Sequence, residues 1–495
     1  MTADIPLRLS NIYSQLPVRF FERVKPTIVA NPSVIIFNNK LAEFLNLDIE
    51  SASGDIGLGI FSGNTIPIKS NPIAMAYAGH QFGNWVPRLG DGRAILLGEL
   101  LGKDGQSYDI QLKGAGRTPF SRMGDGRSAV GPVLREYLIS EAMHTLGVPT
   151  TRSLAAVLTG EVVQRETVLP GAILTRVSHS HVRVGTFEYF SSRKDTEGVK
   201  VLANHLLKNN FSQITNSSNP YKALLQAIIT NQAKLIACWQ LVGFIHGVMN
   251  TDNCSVVGDT IDYGPCAFID TYDPSTVFSS IDRQARYSYK NQPLIAQWNL
   301  ACLAESLLPL LDENPKKAID IAKEQLNTFQ SIYHHEYLKI VRRKLGFFTS
   351  RDEDSKIAQD LFLIMEKGKA DFTLTFRSLT LLTSNDETAD NSFCDLFLNT
   401  NEINNWIKQW KHRCSMEHYT KDERCAYLKK QNPEIIPRNH LIEKVIRSAV
   451  DEENFTPFYK LKEALGNPFR DHSLNSVYRK PPLPSEVVKQ TFCGT

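Results

Sequence analysis

Hydrophobic and polar positions change period several times along the chain, and the changes mark out its elements. From Leu89, GDGR at 90–93 leads into the apolar run AILLGEL, GKDG supplies a turn, and SYDIQLKG follows. Two short extended runs joined by a Gly/Asp turn predict a hairpin, with Lys113 near the end of its second strand. A long glycine-rich loop runs from Gly114 to Pro132. In PVLREYLISEAMHTLGV the apolar residues Val133, Leu134, Leu138, Ile139, Ala142 and Met143 have the spacing of one helix face, and Gly147 is the stop. Residues 151–190 return to short β-like runs, SLAAVL, AILTRV and VRVGTFEYF.

Residues 221–250 predict one long helix, interrupted near Gly243 to Gly247, followed by a β-like patch in CSVVG and TIDYG. From Pro293 nearly everything has helical spacing, apart from connections around 347–355 and 383–390. The first 70 residues are mixed, with a helical fragment around Leu41–Leu47 and turn signals at Gly54, Gly57, Gly63 and Asn64. The last segment is polar and proline-rich, as expected of a tail running over the surface. No period of 20–50 residues repeats. The pattern predicts an α+β chain with a mixed α/β N-terminal lobe and extension over 1–200, a mainly helical region over 201–480, and a tail over 481–495 containing Cys493.

Composition narrows the class. A 42% hydrophobic share with 25 Phe and 16 Tyr in 495 residues excludes a disordered chain and a small stapled scaffold. With 55 Lys+Arg against 52 Asp+Glu, the formal charge of +3 gives no global field that would propose nucleic acid. Eight dispersed cysteines without a CxxC point to a reducing compartment. The N-terminus lacks a basic cap followed by an apolar stretch, and no window approaches the 18–20 apolar residues of a membrane span. A soluble, cytoplasmic protein without membrane or nucleic-acid partners is expected.

Several residues could carry chemistry. Lys113, at a strand end, can place its charge on nucleotide phosphates, with Glu136 or Glu141 on the following helix to orient it. GDGR occurs at 90–93 and again at 124–127, where backbone N–H groups could cradle phosphate and Arg93 and Arg127 add charge. Neither copy is a GxGxxG or a GxxxxGK[ST], and a single GDGR is more often only a turn. Arg176 and Arg183 could clamp a triphosphate; His179 and His181 beside them are better explained as satisfied or exposed side chains than as zinc ligands. In HGVMNTDNCSVVGDTIDYGPCAFID, Asn253 and Asp262 could offer an oxygen from each side of a hairpin to Mg²⁺, with Asp252 as a base or loop organiser. Turn and cap roles explain the same residues about as well in isolation. The linear order of glycine-rich loop, lysine, glutamate, His-x₆-Asn and Asp-Tyr-Gly is that of a protein kinase site, except that Val248 stands where the catalytic-loop aspartate would be.

The segments GHQFGNWVPRLGDGRAILLGE, DIQLKGAGRTPFSRMGDGRSAVGPVLREYLISEAMHTLGVPTTRSL and HGVMNTDNCSVVGDTIDYGPCAFID resemble the selenoprotein O family of pseudokinases. The resemblance implies a two-lobed, kinase-like fold that holds ATP reversed and transfers AMP to protein Ser, Thr or Tyr hydroxyls, with release of pyrophosphate. It implies nucleotide contacts from Gly90, Gly92, Arg93, Lys113, Asp125, Gly126, Arg176 and Arg183, with Glu136 as the partner of Lys113. Asn253 and Asp262 correspond to ligands of Mg²⁺ or Mn²⁺, Asp262 also lying against the nucleotide, and Asp252 to the proton acceptor. Protein substrates, with automodification among them, are the implied partners. A redox-sensitive residue near the C-terminus corresponds to Cys493; the segment STVFSSID has no cysteine where some relatives place its partner, and Cys266 is a substitute that the sequence offers. An atypical phosphotransferase and a silent ATP-binding scaffold remain open at this point.

Overall fold

The extended runs form an eight-stranded antiparallel sheet in the computed structural model, which describes residues 9–384, 386–398, 400–471 and 476–492. Its strands include β1 (Phe21–Arg23), β2 (Ser33–Phe37) and β3 (Ile73–Met75). The small hairpin of β4 (Gly79–Gln81) and β5 (Asn84–Val86) stands outside the sheet. Then come β6 (Ala94–Leu101), β7 (Ser107–Lys113), β8 (Ser128–Ala129), β9 (Arg152–Gln164) and β10 (Val168–Ser178). The spatial order is β1-β3-β6-β7-β10-β9-β2, with β8 against β10. Because β6 is buried on both faces, it reads as a continuous apolar run: Leu96 packs into the largest core cluster, and Ile95 and Leu97 pack into another. Three short helices, α1 (Asn39–Phe44), α2 (Ile49–Ser53) and α3 (Asp55–Phe61), supply residues to the cluster holding Ile95 and Leu97. The other cluster receives α4 (Val130–Thr145).

The expected stripe on α4 is buried, but so are Arg135, Glu136, Tyr137 and Ser140, because α4 is enclosed between the sheet and two later helices. After β10 come α5 (Val184–Ser191), α6 (Thr196–Asn209) and α7 (Pro220–Val242), then the short pair β11 (Phe244–Ile245) and β12 (Ala267–Phe268). The remainder is helical. It consists of α8 (Gln292–Leu311), α9 (Pro315–Lys344), α10 (Asp354–Gly368), α11 (Phe372–Ser378), α12 (Glu387–Cys394), α13 (Thr400–Ser415), α14 (Lys421–Gln431), α15 (Asn439–Asp451) and α16 (Thr456–Leu465). The enclosing helices are α15 and α16, and α7, α8 and α9 pack on one another.

Several expectations are corrected. VGTFEYF is the helix α5, not a strand; its β-branched and aromatic residues are buried nearly all round, which removes the 3.6-residue signal. The long helix breaks at Gly243, where an interruption was expected, but does not resume towards 250: Gly243 takes the left-handed conformation (φ 73°), ends α7, and Phe244 starts β11. CSVVG and TIDYG form no hairpin, only the isolated bridges Ser255 to Arg183 and Thr260 to Thr150; the ladder here joins β11 and β12. Gly57 lies inside α3, and α12 occupies much of the expected connection at 383–390. Tyr289–Leu311 is long and apolar enough by composition to span a membrane, contrary to expectation; half of that window is buried, and α8 packs on α5, α7 and α9 as a core helix does. The described tail residues, 476–492, contain no helix.

Candidate active site

A cavity of about 930 Å³ is lined by Gly90, Gly92, Arg93, Lys113, Asp125, Gly126, Glu136, Arg176, Arg183, Asp252, Asn253 and Asp262, the residues to which the resemblance assigns nucleotide, metal or proton-transfer roles. Its charged lining is richer in basic than in acidic side chains, which suits an anionic ligand.

The sheet register positions the cations. Lys113 ends β7 opposite Leu174 of β10, and Arg176, two residues on, stands opposite Gln111. Gln111 Oε1 accepts from Arg176 Nε (3.2 Å) and Nη2 (2.6 Å), which turns Nη1 towards Glu136 (3.2 Å) and Asp262 (2.7 Å). Lys113 Nζ donates to Glu136 Oε2 (2.5 Å) and Asp262 Oδ1 (2.9 Å). Arg183, just before α5, donates to Asp262 Oδ2 and to the Asp252 carbonyl (2.6 Å), and lies over the Tyr77 ring at 4.8 Å. Glu136 is therefore the carboxylate partner of Lys113. Glu141 is committed elsewhere, to Arg152 and Asn38.

Asp262 adopts φ 63°, a conformation uncommon for a side chain with a Cβ, and three cations meet its carboxylate. Burial alone would raise its pKa; Arg183, then Lys113 and Arg176, overcome that and hold it well below the ordinary value. Asp252, in the single turn Thr251–Asn253, behaves in the opposite way. Burial pushes its pKa up to about 6, with Gln81 and Arg183 pulling down only in part. Its Oδ2 accepts from Gln81 Nε2 (3.2 Å), whereas Oδ1 is buried and makes no hydrogen bond. Asn253 donates through Nδ2 to the Val248 carbonyl (3.0 Å), and its Oδ1 makes no hydrogen bond among the described residues. His246 does not face the cavity; Nε2 donates to the Ile261 carbonyl (2.8 Å), so it braces the two segments that carry Asp252 and Asp262.

The first GDGR needs its glycines. Gly90 has φ 76°, and a Cβ at Gly90 or Gly92 would collide with Phe120, the side chain in one case and the carbonyl in the other. Close packing of 117–127 on 90–93 follows, and the Arg93 guanidinium makes no hydrogen bond or ion pair among the described residues. In the second GDGR, Asp125 pairs with Arg165 (2.8 Å), and Arg127 binds Glu161 (3.1 Å) and the carbonyls of Thr27 and Ile28. His179 and His181 pair with Asp259 and Asp109. Sequence reasoning missed Asp91, Gln111, Tyr77, Gln81 and Arg165. Asp91 accepts from the Met75 N–H and from Gln111, tying β3 to β7 beneath the cavity. Gln111 was accessible through strand periodicity, since it shares a face with Lys113; Arg165 carries no local signal.

Asn253 Oδ1, without a hydrogen bond among the described residues, and the Asp262 carboxylate offer oxygen donors of the kind that Mg²⁺ and Mn²⁺ take, so these two residues fit a hard divalent ion, with Asp252 beside them. Comparison with known proteins assigns the family. The model of the family described as protein adenylyltransferase SelO matches residues 5–466. The chain belongs to the SelO family. It is 51% identical over 488 residues to the protein nucleotidyltransferase YdiU of Rhizobium meliloti (strain 1021), covering 99% of both chains. It is 51% identical over 495 residues to the protein of that name in Bradyrhizobium diazoefficiens, and 52% identical over 495 residues to that of Rhodopseudomonas palustris (strain BisB5), covering the full length of each. Nucleotidyl transfer is thus the family chemistry. In this SelO chain the tail reaches the cavity: Thr491 Oγ1 donates to the Pro265 carbonyl (2.6 Å), and Phe492 joins the lining. Cys493 lies outside the described residues, and Cys266 is buried.

Proposed function

We propose that this protein is an ATP-dependent adenylyltransferase that moves AMP to Ser, Thr or Tyr hydroxyls of proteins, itself among them, and releases pyrophosphate. The observation that carries the proposal is the convergence of Lys113, Arg176 and Arg183 on Asp262 beside Asp252, a buried carboxylate with one oxygen unpartnered. A two-lobed, kinase-like arrangement, with the sheet in one lobe (1–200) and most helices in the other (201–480), accords with the order of the elements.

The residues then divide the work. At neutral pH Asp252, with its pKa near 6, is mostly ionised and can take the proton of an acceptor hydroxyl as its oxygen bonds to the α-phosphorus. The bond from that phosphorus to the β-phosphate bridge breaks, and pyrophosphate leaves. Arg93, whose guanidinium is uncommitted, meets phosphate charge together with Lys113, without first breaking protein contacts at Arg93. Val248 cannot accept a proton, so the base function falls to Asp252. A divalent cation held by Asn253 and Asp262 would neutralise phosphate charge.

The test is transfer to a mixed protein pool from ATP labelled at either its α- or its γ-phosphate, with Mg²⁺ or Mn²⁺ and an Asp262→Ala control. Protein-bound α label alone, absent from the control, is expected. Protein-bound γ label would replace the proposal with a phosphotransferase, and ATP binding without either label would replace it with a silent scaffold.

A further inference from the structure

Outside the cavity, His80, Glu188 and Cys302 bring an imidazole, a carboxylate and a thiol together, with ligand atoms all within 4.8 Å of one another. They come from three separate elements, β4, α5 and α8. His80 Nδ1 contacts Glu188 Oε1 at 2.6 Å. The other carboxylate oxygen, Oε2, is buried and makes no hydrogen bond, on a side chain only 5% exposed. Burial raises the pKa of Glu188, with the nearby Thr251 hydroxyl and His80 pulling down, and burial pushes the Cys302 thiol up to about 12. Glu305 adds further negative potential to both groups. The cluster is thus rich in donors and poor in positive charge.

We propose that His80 Nδ1, Glu188 and Cys302 Sγ form a site for a thiophilic divalent cation, best matched by Zn²⁺, with water as the fourth ligand. One nitrogen, one oxygen and one sulfur are a borderline-soft set, unlike the all-oxygen donors of the cavity. Bonds of about 2.0–2.3 Å at tetrahedral angles put ligand atoms roughly 3.3–3.7 Å apart. To reach that geometry His80 Nδ1 and Glu188 Oε1 open from 2.6 Å, and Cys302 Sγ, no more than 4.8 Å from either, has at most about 1 Å to close. Binding releases the thiol proton, and any proton on Nδ1, to solvent. The rings of Trp85 and Trp298 flank His80 at 5.0 and 5.3 Å and shield the site, Trp298 standing one turn before Cys302 on α8. The cation would clamp the β4–β5 hairpin to the turn that carries Asp252, because the His80 N–H donates to Thr251 Oγ1 (2.7 Å) and Gln81 holds Asp252.

The experiment is a titration of the metal-free full chain with Co²⁺, followed by displacement with Zn²⁺. The expected spectrum has one thiolate-to-cobalt charge-transfer band per chain in the near ultraviolet, with intense tetrahedral d–d bands, all removed by Zn²⁺. Cys302→Ser is expected to lose the charge-transfer band and to weaken Zn²⁺ binding at least tenfold; His80→Gln weakens binding but keeps the band at high Co²⁺. Asp262→Asn, which alters only the cavity, keeps the full spectrum. A wild-type titration without a charge-transfer band overturns the proposal, and so does a band that survives in folded Cys302→Ser.

Discussion

Asp252 and Asp262 stand ten positions apart and face the same cavity, yet their environments drive them in opposite directions: one is desolvated with a single neutral donor, the other is met by three cations. A raised pKa reverses the usual stability argument for an aspartate. Above about pH 6 the ionised Asp252 weakens the fold relative to the unfolded chain; as pH falls from about 6 towards 3.8 the folded form takes the proton first and gains stability, and below that nothing more is gained. Asp252→Asn is therefore expected to lower transfer by about 10²–10⁴ while raising stability at neutral pH by on the order of 1–3 kcal/mol. In the wild type, the acid limb of the kcat/KM profile should lie near pH 6, and thermal unfolding should show the variant to be no less stable; a variant that is inactive because it is destabilised would contradict the assignment. At this scale much of the site was legible in sequence, because glycine requirements, the Lys113–Glu136 spacing and the run from His246 to Asp262 are local. Strand periodicity puts Gln111 on the face of Lys113, but the roles of Asp91 and Gln111 were not legible, since they hold Met75 and Arg176 across the sheet, a relation that no short window contains.

Elements bring those residues together through close backbone contact. The turn Thr251–Asn253 is pressed between β4 and the start of α5: a Cβ on Gly79 would lie 2.9 Å from Asp252 Oδ1 and 3.1 Å from its backbone N, and one on Gly185 would lie 2.1 Å from the Ala78 carbonyl. Gly79→Ala is expected to push Asp252 out of place, reducing kcat at least tenfold and stability by about 1–3 kcal/mol, the usual cost of overpacking. ATP affinity, measured by calorimetry, should change little, because Arg93 immediately precedes β6 and Lys113 ends β7, both away from the hairpin; an equal loss of affinity would mean that the hairpin itself grips the nucleotide. The strands and long helices were legible because their periodicity survives partial burial. α5 was not, since enclosure on all sides erases amphipathicity, and the β-like patch after Asn253 failed because Val256 and Ile261 are buried core residues in a loop.

Across the whole molecule, buried ion pairs bind distant segments to the site. The charge runs RRKLG and KHRC are more than solvated helix faces: Arg342 and Arg413 meet at Asp354, and Lys344 is buried over Phe372 and Phe376. Their partners lie far away in sequence, so composition could not reveal them. The most consequential pair joins Arg438, 1% exposed, to Asp270 and Asp371. Asp371 also caps α11 through the Leu374 N–H (2.8 Å), and Arg438 immediately precedes α15, which packs on α4, the helix of Glu136. The end of β12 is thereby tied to the helical region and, through it, to the cavity. Arg438→Met keeps the aliphatic volume but leaves two carboxylates facing each other, which should cost about 3–5 kcal/mol near neutral pH. Burial already raises the pKa of Asp270 against the pull of Arg438, so without that guanidinium it rises further and the group protonates as pH falls. The destabilisation measured by urea unfolding should therefore be larger at pH 8 than at pH 5.5. A loss independent of pH would mean that Arg438 acts through its packing and not through its charge.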